Sequence, residues 1–200
     1  MLPKPLKNLI EILAKLPSIG PRQAIRLGFF ILSKDKSFIE DFSKKLGALA
    51  IGVNVCAQCF FVFENDGKNL CQICRDKARD KTKICIIEKE TDLISIEKSK
   101  KYNGLYFIIG KLLSALEKDK PVKEELRLIQ LEEMIKTNNP QEIILALNPT
   151  AEGDFTALLI NKELKPLNLK ITHLGRGLPT GSELEFADAE TLGASLENRK

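Results

Sequence analysis

The spacing of apolar residues changes near residue 82, which divides the chain into a helical first part and a second part that alternates strands with helices. In the first part, apolar residues recur at helical spacing. This pattern predicts a helix over residues 5–16, a second helix from Pro21 and a third over residues 34–52. We expect the apolar stripe of the third helix to cover the hairpin that the first two helices form.

The second part begins with a continuous apolar run of the kind found in buried strands. The pattern predicts strands over residues 83–88, 104–110, 142–147 and 170–174, and helices over residues 91–99, 124–137 and 156–164. Strands that alternate with helices indicate a parallel sheet covered on both faces. The predicted fold class is therefore α/β with a small N-terminal α domain, and its functional groups belong at the carboxyl ends of the strands.

The segment between the first two helices, Pro17–Gly20, has the features of a tight turn. We expect Gly20 to take the positive φ of that turn, and Pro21 suits the first position of a helix. Arg22 and Arg26 share a face beside free backbone N–H groups, which is an arrangement that binds phosphate. This pattern is typical of a helix-hairpin-helix that binds DNA with little sequence preference. The alternative is an ordinary helical hairpin with solvated arginines.

Four of the five cysteines form two CxxC pairs that are eleven residues apart: Cys56, Cys59, Cys71 and Cys74. This spacing predicts a closed tetrahedral Zn²⁺ site, one ion per chain, with a structural role. Two disulfides or a dithiol redox pair are the alternatives. Asn65–Gly67 is predicted to form a hairpin turn between the pairs, and Cys85 is predicted to be an inert core thiol.

Composition narrows the class of protein. The chain has 200 residues, 44% hydrophobic and 29% charged, which is ordinary for a soluble protein. Without a long apolar run or a signal-type start, we expect a cytoplasmic protein with no membrane contact. The net charge of +4 is unevenly distributed, because residues 1–83 carry +7 and residues 84–200 carry −3. The basic first half favours nucleic acid as a partner.

Polar residues follow two of the predicted strands. Glu88 ends one strand, and a loop that contains Asn148, Thr150 and Glu152 follows another. This arrangement resembles the Toprim fold of topoisomerases, primases and some nucleases, in which the Glu acts as acid or base and two Asp residues hold Mg²⁺. Here Asn148 and Thr150 replace both aspartates, so the charge that Mg²⁺ requires is largely lost. We predict a non-catalytic Toprim scaffold, with a metal-dependent nuclease or topoisomerase as the alternative.

The C-terminal segment resembles a Walker B strand over residues 183–188, followed by a short helix over residues 189–197. The sequence contains no phosphate-binding loop of the form GxxxxGK[ST], so ATP hydrolysis is unsupported. The segment is predicted to form a subunit contact.

The complete order of motifs resembles the RecR family of bacterial recombination mediators. The resemblance rests on "LPSIGPRQAIRL" from residue 16, "CQIC" from residue 71, "RDKTKICIIE" from residue 79 and "EIILALNPTAEGDFTALLI" from residue 142. It implies four domains: a helix-hairpin-helix (1–53), a four-cysteine zinc finger (54–80), a Toprim domain (81–175) and a C-terminal Walker B-like strand and helix (176–200).

The resemblance also implies a function. A tetrameric ring would clamp single-stranded or gapped DNA, act with RecO and RecF to load RecA, and catalyse no reaction. By position, Gly20, Arg22 and Arg26 would contact DNA inside the ring. The chain has Ser18 where the family commonly has Gly, which is tolerable if φ stays negative, and its loop from Ser114 to Glu124 lacks the family's glycines. A zinc-stabilised module that binds an acidic protein remains a further alternative.

Overall fold

The computed structural model describes residues 2–116 and 121–199 and divides the chain into two compact units, residues 1–53 and 54–200. Within the described ranges, no helix is both long enough and apolar enough to span a bilayer. Part of the predicted loop over residues 114–124 lies outside the described residues, since 117–120 are not among them.

The first unit contains three helices: α1 (Lys4–Leu13), α2 (Pro21–Leu32) and α3 (Lys36–Gly52). The first two pack closely because Gly28 has no side chain. A Cβ at Gly28 would lie 2.8 Å from Cγ1 of Ile10 and 3.2 Å from Leu6. Ala24, which is fully buried, lies on the same face of α2. This packing leaves the opposite face of α2 in solvent.

The third helix does not cover the hairpin as its apolar stripe predicts. Asp35 caps α3 by accepting a hydrogen bond from the Phe38 N–H, at 2.8 Å. No residue of α3 is buried, and the side chains of Phe42, Leu46 and Leu49 are 40%, 52% and 61% exposed. Periodicity correctly predicts the apolar face, but it carries no information about which surface covers it.

After α3 the chain forms a two-stranded sheet and a short helix, which belong to the second unit except for Val53: β1 (Val53–Val55), β2 (Val62–Glu64) and α4 (Gln72–Arg75). The chain reverses between β1 and β2 at the first CxxC pair. Asn65–Gly67 is therefore not the hairpin turn that the sequence predicts. It is a bend in which Gly67 has a φ of 73° and its N–H donates to the Asn65 side chain.

Strands and helices then alternate as predicted. The remaining elements are β3 (Asp80–Ile87), α5 (Glu90–Ser99), β4 (Gly104–Ile108), α6 (Val122–Glu125), α7 (Leu128–Asn138), β5 (Glu142–Ala146), α8 (Ala151–Leu164), β6 (Lys170–His173) and α9 (Ala189–Glu197). The four strands β3 to β6 form a parallel sheet in the order β4-β3-β5-β6. Because β3 is central, its apolar residues are buried on both faces.

The two faces of this sheet are covered by different helices. Ile84 and Ile86 of β3 pack in one core with α7 and α8, and Cys85 and Ile87 pack in a second core with Leu93 of α5. Burial raises the pKa of the Cys85 thiol to about 12, which agrees with its prediction as an inert core residue. The alternation of side chains along β3 thus separates the two layers.

Two helices differ from their predicted bounds. The helix predicted over residues 124–137 is divided into α6 and α7, because Arg127 between them has a φ of 54°. The helix predicted from residue 156 begins at Ala151, because Thr150 caps it and accepts a hydrogen bond from the Gly153 N–H, at 3.1 Å. Both differences arise from single backbone or capping interactions that apolar periodicity does not detect.

The C-terminal segment has no strand at the Walker B-like residues. Leu184–Phe186 forms one turn of 3₁₀ helix, and Asp188 then caps α9 by accepting from the Thr191 N–H. A strand needs a neighbouring strand to satisfy its backbone, and the chain offers none at this point among the described residues. The predicted helix is present with the expected bounds.

Candidate nucleic-acid interface and metal site

The turn between α1 and α2 places its positive φ differently from the prediction. The Ile19 N–H donates to the Leu16 carbonyl at 3.1 Å, so Pro17 and Ser18 are the central residues of the turn. Ser18 has a φ of 62°, so the expectation that this residue keeps a negative φ is wrong, whereas Gly20 is extended with a φ of −76°. Pro17 fixes a negative φ at the first central position, and the positive φ therefore falls on the second.

Gly20 instead forms the N-cap of α2. Pro21 follows at the first helical position, and no side chain caps the free N–H groups of this helix end. Arg22 and Arg26 are exposed one turn apart on α2, and neither forms an ion pair with any described residue. The helix end and the two guanidinium groups thus present positive charge on one surface, as an anion-binding site requires.

The four cysteines of the CxxC pairs come together as a buried cluster. Their sulfur atoms all lie within 4.8 Å of one another, and no disulfide links them. The Sγ atoms of Cys59 and Cys71 are 3.6 Å apart, close to the separation of about 3.8 Å that a tetrahedral ion with 2.3 Å metal–sulfur bonds gives. The Cys71 N–H also donates to the Cys56 sulfur at 3.3 Å. These four residues can hold one metal ion.

The proximity of the thiols changes their ionisation. Hydrogen bonds from the other three thiols, that of Cys59 above all, lower the pKa of Cys56 far below its usual range. The same contacts raise the pKa of Cys59 and Cys74, so the four thiols cannot all ionise without a compensating charge. A thiolate is the form that binds a metal, and a bound cation would supply that charge. The geometry leaves no coordination position for a substrate, which favours a structural role.

The Toprim residues lie at the carboxyl edge of the sheet, as predicted, but only two of them meet. The Asn148 amide donates a hydrogen bond of 2.7 Å to the Glu88 carboxylate. A carboxylate only accepts, so the amide must present its N–H₂ group to Glu88. Thr150 uses its hydroxyl to cap α8, and Glu152 is exposed in the first turn of that helix. An N–H donor thus faces Glu88 where a cation would need an oxygen ligand.

Substitution of Asn148 with Asp should make stability depend on Mg²⁺. Two carboxylates would face each other, which we expect to cost about 1–2 kcal/mol at neutral pH. The repulsion exists only while both carboxylates are ionised, so the loss should be present at neutral pH and vanish in acid, where one carboxylate is protonated. Thermal unfolding with and without millimolar Mg²⁺ measures the effect. Asn148→Ala adds no charge and should not respond to Mg²⁺; an unresponsive Asn148→Asp would contradict this account.

Two arginines near these sites form contacts that the sequence does not predict. The Arg127 guanidinium lies 4.4 Å from the centre of the Phe60 ring, in the first CxxC loop, and donates to the Ile108 carbonyl at 3.2 Å. Arg176 forms an ion pair with Asp154 and a second with Glu190, which holds α9 close to α8. Both arginines contact residues that are far away in sequence, so no local sequence pattern predicts these contacts. The only local feature is the positive φ of Arg127, which interrupts the predicted helix.

Comparison with known proteins agrees with this architecture. A model described as "RecR, helix-hairpin-helix" matches residues 6–49, one described as "Toprim domain" matches residues 82–175, and one described as "RecR, C-terminal" matches residues 177–200. Fold and site therefore define a Toprim protein with an N-terminal helix-hairpin-helix and a four-cysteine cluster.

Relatives identify the family more closely. A protein named "Recombination protein RecR" from Chloroflexus aggregans is 39% identical over 196 residues, which cover 98% of this chain and 93% of the relative. Proteins of the same name from Roseiflexus sp. and Roseiflexus castenholzii are each 38% identical over 200 residues, all of this chain and 95% of each relative. The chain belongs to the RecR family, whose name denotes DNA recombination and repair.

Proposed function

We propose that this protein is a non-enzymatic DNA-binding mediator of recombinational repair. The observation that carries the proposal is the unpaired, exposed positive surface formed by Arg22, Arg26 and the uncapped start of α2. Phosphate is the ligand that suits backbone N–H groups and guanidinium groups together. Contacts of this kind position a DNA backbone without reading its sequence.

The carboxyl edge of the sheet supports the non-enzymatic role. Its Glu88 is held by an amide donor from Asn148 rather than by a shared cation, and the hydroxyl of Thr150 is engaged as a helix cap. A Toprim nuclease or topoisomerase is the competing activity. It would show Mg²⁺- or Mn²⁺-dependent nicking of plasmid DNA that disappears in Glu88→Gln, and we expect no such activity.

We propose that the four-cysteine cluster binds Zn²⁺, one ion per chain. All four candidate ligands are cysteine sulfurs, and closed tetrahedral thiolate sites are typical of structural zinc. Native mass spectrometry measures the stoichiometry. A protein that carries no zinc after expression in zinc-supplemented medium would overturn this assignment.

A homotetramer is the proposed assembly. The apolar stripe of α3 is exposed in the single chain, and such a surface is normally covered by another protein surface. A ring of four chains would cover it and place the hairpin arginines around DNA. In that form the protein would act with RecO, and with RecF, to load RecA on gapped single strands, in the cytoplasm where the chromosome lies.

DNA binding by the double variant Arg22→Ala/Arg26→Ala tests the central proposal. Fluorescence anisotropy of labelled single-stranded and gapped DNA, over a series of NaCl concentrations, should show binding weakened by about 10-fold or more. The logarithm of the binding constant falls linearly with the logarithm of the NaCl concentration, and we call the size of this slope the salt slope. Each lost phosphate contact reduces the salt slope by about 0.7 on single strands. The matched control is Lys162→Ala/Lys165→Ala, which removes equal charge from the end of α8. If the arginine variant binds as tightly as this control, the hairpin is not the DNA site.

A further inference from the structure

The amino edge of the sheet brings two basic segments together, on the opposite edge from Glu88. The first segment, residues 76–83, contains the start of β3 and the residues before it. The second segment, residues 97–103, contains the end of α5 and the connection to β4. The Asp80 N–H donates to the Asn103 carbonyl at 2.8 Å, and the Asn103 amide donates to the Ala78 carbonyl at 3.0 Å. These bonds hold the two segments side by side.

Six exposed lysines occupy these two segments, and we call them the lysine cluster: Lys77, Lys81, Lys83, Lys98, Lys100 and Lys101. With Arg79, the segments contain seven basic residues against three acidic ones, a net charge of +4. The full chain also carries +4, so the remainder of the chain is neutral in sum. The lysine cluster is therefore a local concentration of charge rather than a sample of a generally basic surface.

The acidic residues of these segments are largely engaged. Arg79 forms a half-buried ion pair with Glu97, and Lys83 lies 3.2 Å from Asp80. The Glu97 carboxylate accepts hydrogen bonds from the Arg79 guanidinium and from the Tyr106 hydroxyl, and these bonds lower the pKa of the Glu97 carboxyl. Among the described residues, the other five members of the lysine cluster form no ion pair.

The pairing of β3 with β4 is irregular between Asp80 and Ile84, where Lys81 and Lys83 lie. The Thr82 hydroxyl donates to the Asp80 carboxylate, and the Lys83 ammonium pairs with the same carboxylate, so these side chains lie together at the amino end of β3. Further along β3, Cys85 and Ile87 pack against Leu93 of α5, whose C-terminal end carries Lys98. Both segments thus carry exposed lysines, and the bonds through Asn103 hold these segments side by side.

We propose that the lysine cluster is a second DNA-binding surface, which contacts the phosphate backbone from the Toprim unit. Lysine is depleted in protein–protein interfaces, whereas clustered, unpaired lysines are the electrostatic footprint of a nucleic-acid site. The neighbouring Tyr102 is half-buried and its hydroxyl donates to the Leu105 carbonyl at 2.8 Å, so it offers no platform for base stacking. The surface should therefore bind backbone without base preference. This inference rests on the proposed DNA-binding function.

The triple variant Lys81→Gln/Lys98→Gln/Lys101→Gln tests the proposal. It spares Lys100, whose φ of 55° makes substitution less neutral. The matched control is Lys136→Gln/Lys162→Gln/Lys165→Gln, which removes the same charge from the ends of α7 and α8 on the other side of the sheet. Anisotropy with labelled single strands should show the test variant about 10-fold weaker than the control, with a salt slope lower by about 2. Arg at all three test positions should restore binding.

A protein that combines the lysine triple variant with Arg22→Ala/Arg26→Ala separates the proposal for the lysine cluster from the proposal for the hairpin. If both surfaces bind DNA, the five-residue variant binds more weakly than either parent. If only the lysine variant loses affinity, the hairpin proposal fails and the lysine cluster stands. A lysine variant that binds DNA as its control does, including one that loses only an acidic peptide ligand, overturns the inference.

Discussion

Removal of the metal proposed for the four-cysteine cluster should unfold residues 54–76 and lower the thermal stability of the second unit. The local core of this segment consists of the four cysteines and a few partly buried residues around them. Its strands have three residues each and its helix has four, which is too little to fold alone. Zinc binding supplies about 10–16 kcal/mol of apparent free energy in comparable peptides, so the apo segment should lose its structure.

The loss of structure in residues 54–76 should affect the four-stranded sheet at one place, the end of β4. The Ile108 N–H at the end of β4 donates to the Cys59 carbonyl at 3.1 Å. The Phe60 ring packs edge-on against Phe107, with 5.5 Å between ring centres, and carries Arg127 on its face. Hydrogen exchange should therefore quicken at Ile108 after chelation, while the amides of β5 in the centre of the sheet keep their protection.

Two variants separate loss of the metal from loss of a thiol. Cys71→Ser removes one ligand and should behave like the chelated protein, with a lower melting temperature and less than one metal per chain. Cys85→Ala removes the buried thiol outside the cluster and should keep full metal content at a modest cost in stability. A chelated protein with unchanged melting temperature and unchanged protection at Ile108 would show that the cluster does not hold the segment together.

The order of strands and helices in the second unit could be predicted from sequence because burial there follows from position along the chain. A central parallel strand such as β3 must be apolar on both faces, and its run of four buried residues is visible without any partner. The cluster of four cysteines was equally predictable, since two CxxC pairs at this spacing indicate a shared metal ion. In both cases the signal is local.

The predictions that were wrong also have physical causes, but these causes depend on backbone and side-chain geometry rather than on the spacing of apolar residues. Pro17 moves the positive φ of the turn to Ser18, although glycine freedom made Gly20 the expected residue. An alternating pattern in the tail predicted a strand over residues 183–188, where the described residues offer no neighbouring strand and Leu184–Phe186 forms a 3₁₀ turn. The bond between Asn148 and Glu88 spans sixty positions, so the sequence indicated the missing carboxylates but not the amide donor that replaces them.

Substitution of Gly153 with Ala should destabilise the second unit strongly, even though alanine favours helix. Gly153 lies in the first turn of α8, where a Cβ would come within 1.9 Å of the Asn148 carbonyl oxygen. That oxygen belongs to backbone and accepts from the Thr150 N–H at 2.8 Å, so it cannot move without disturbing the cap of α8. The clash should outweigh a propensity gain of about 1 kcal/mol and leave a net loss of about 2–3 kcal/mol.

Gly193→Ala provides the matched comparison, because Gly193 lies in α9 of the same unit, where an added Cβ would meet no atom within 4 Å. Calorimetry should show Gly153→Ala melting about 5–10 °C below the parent and Gly193→Ala melting at or slightly above it. The Asn148 carbonyl and the Asn148 amide belong to one residue, so displacement of the loop should also break the bond to Glu88. Equal melting temperatures for the two variants would mean that the loop before α8 yields freely, and that the amide of Asn148 is not held in place by the close contact with Gly153.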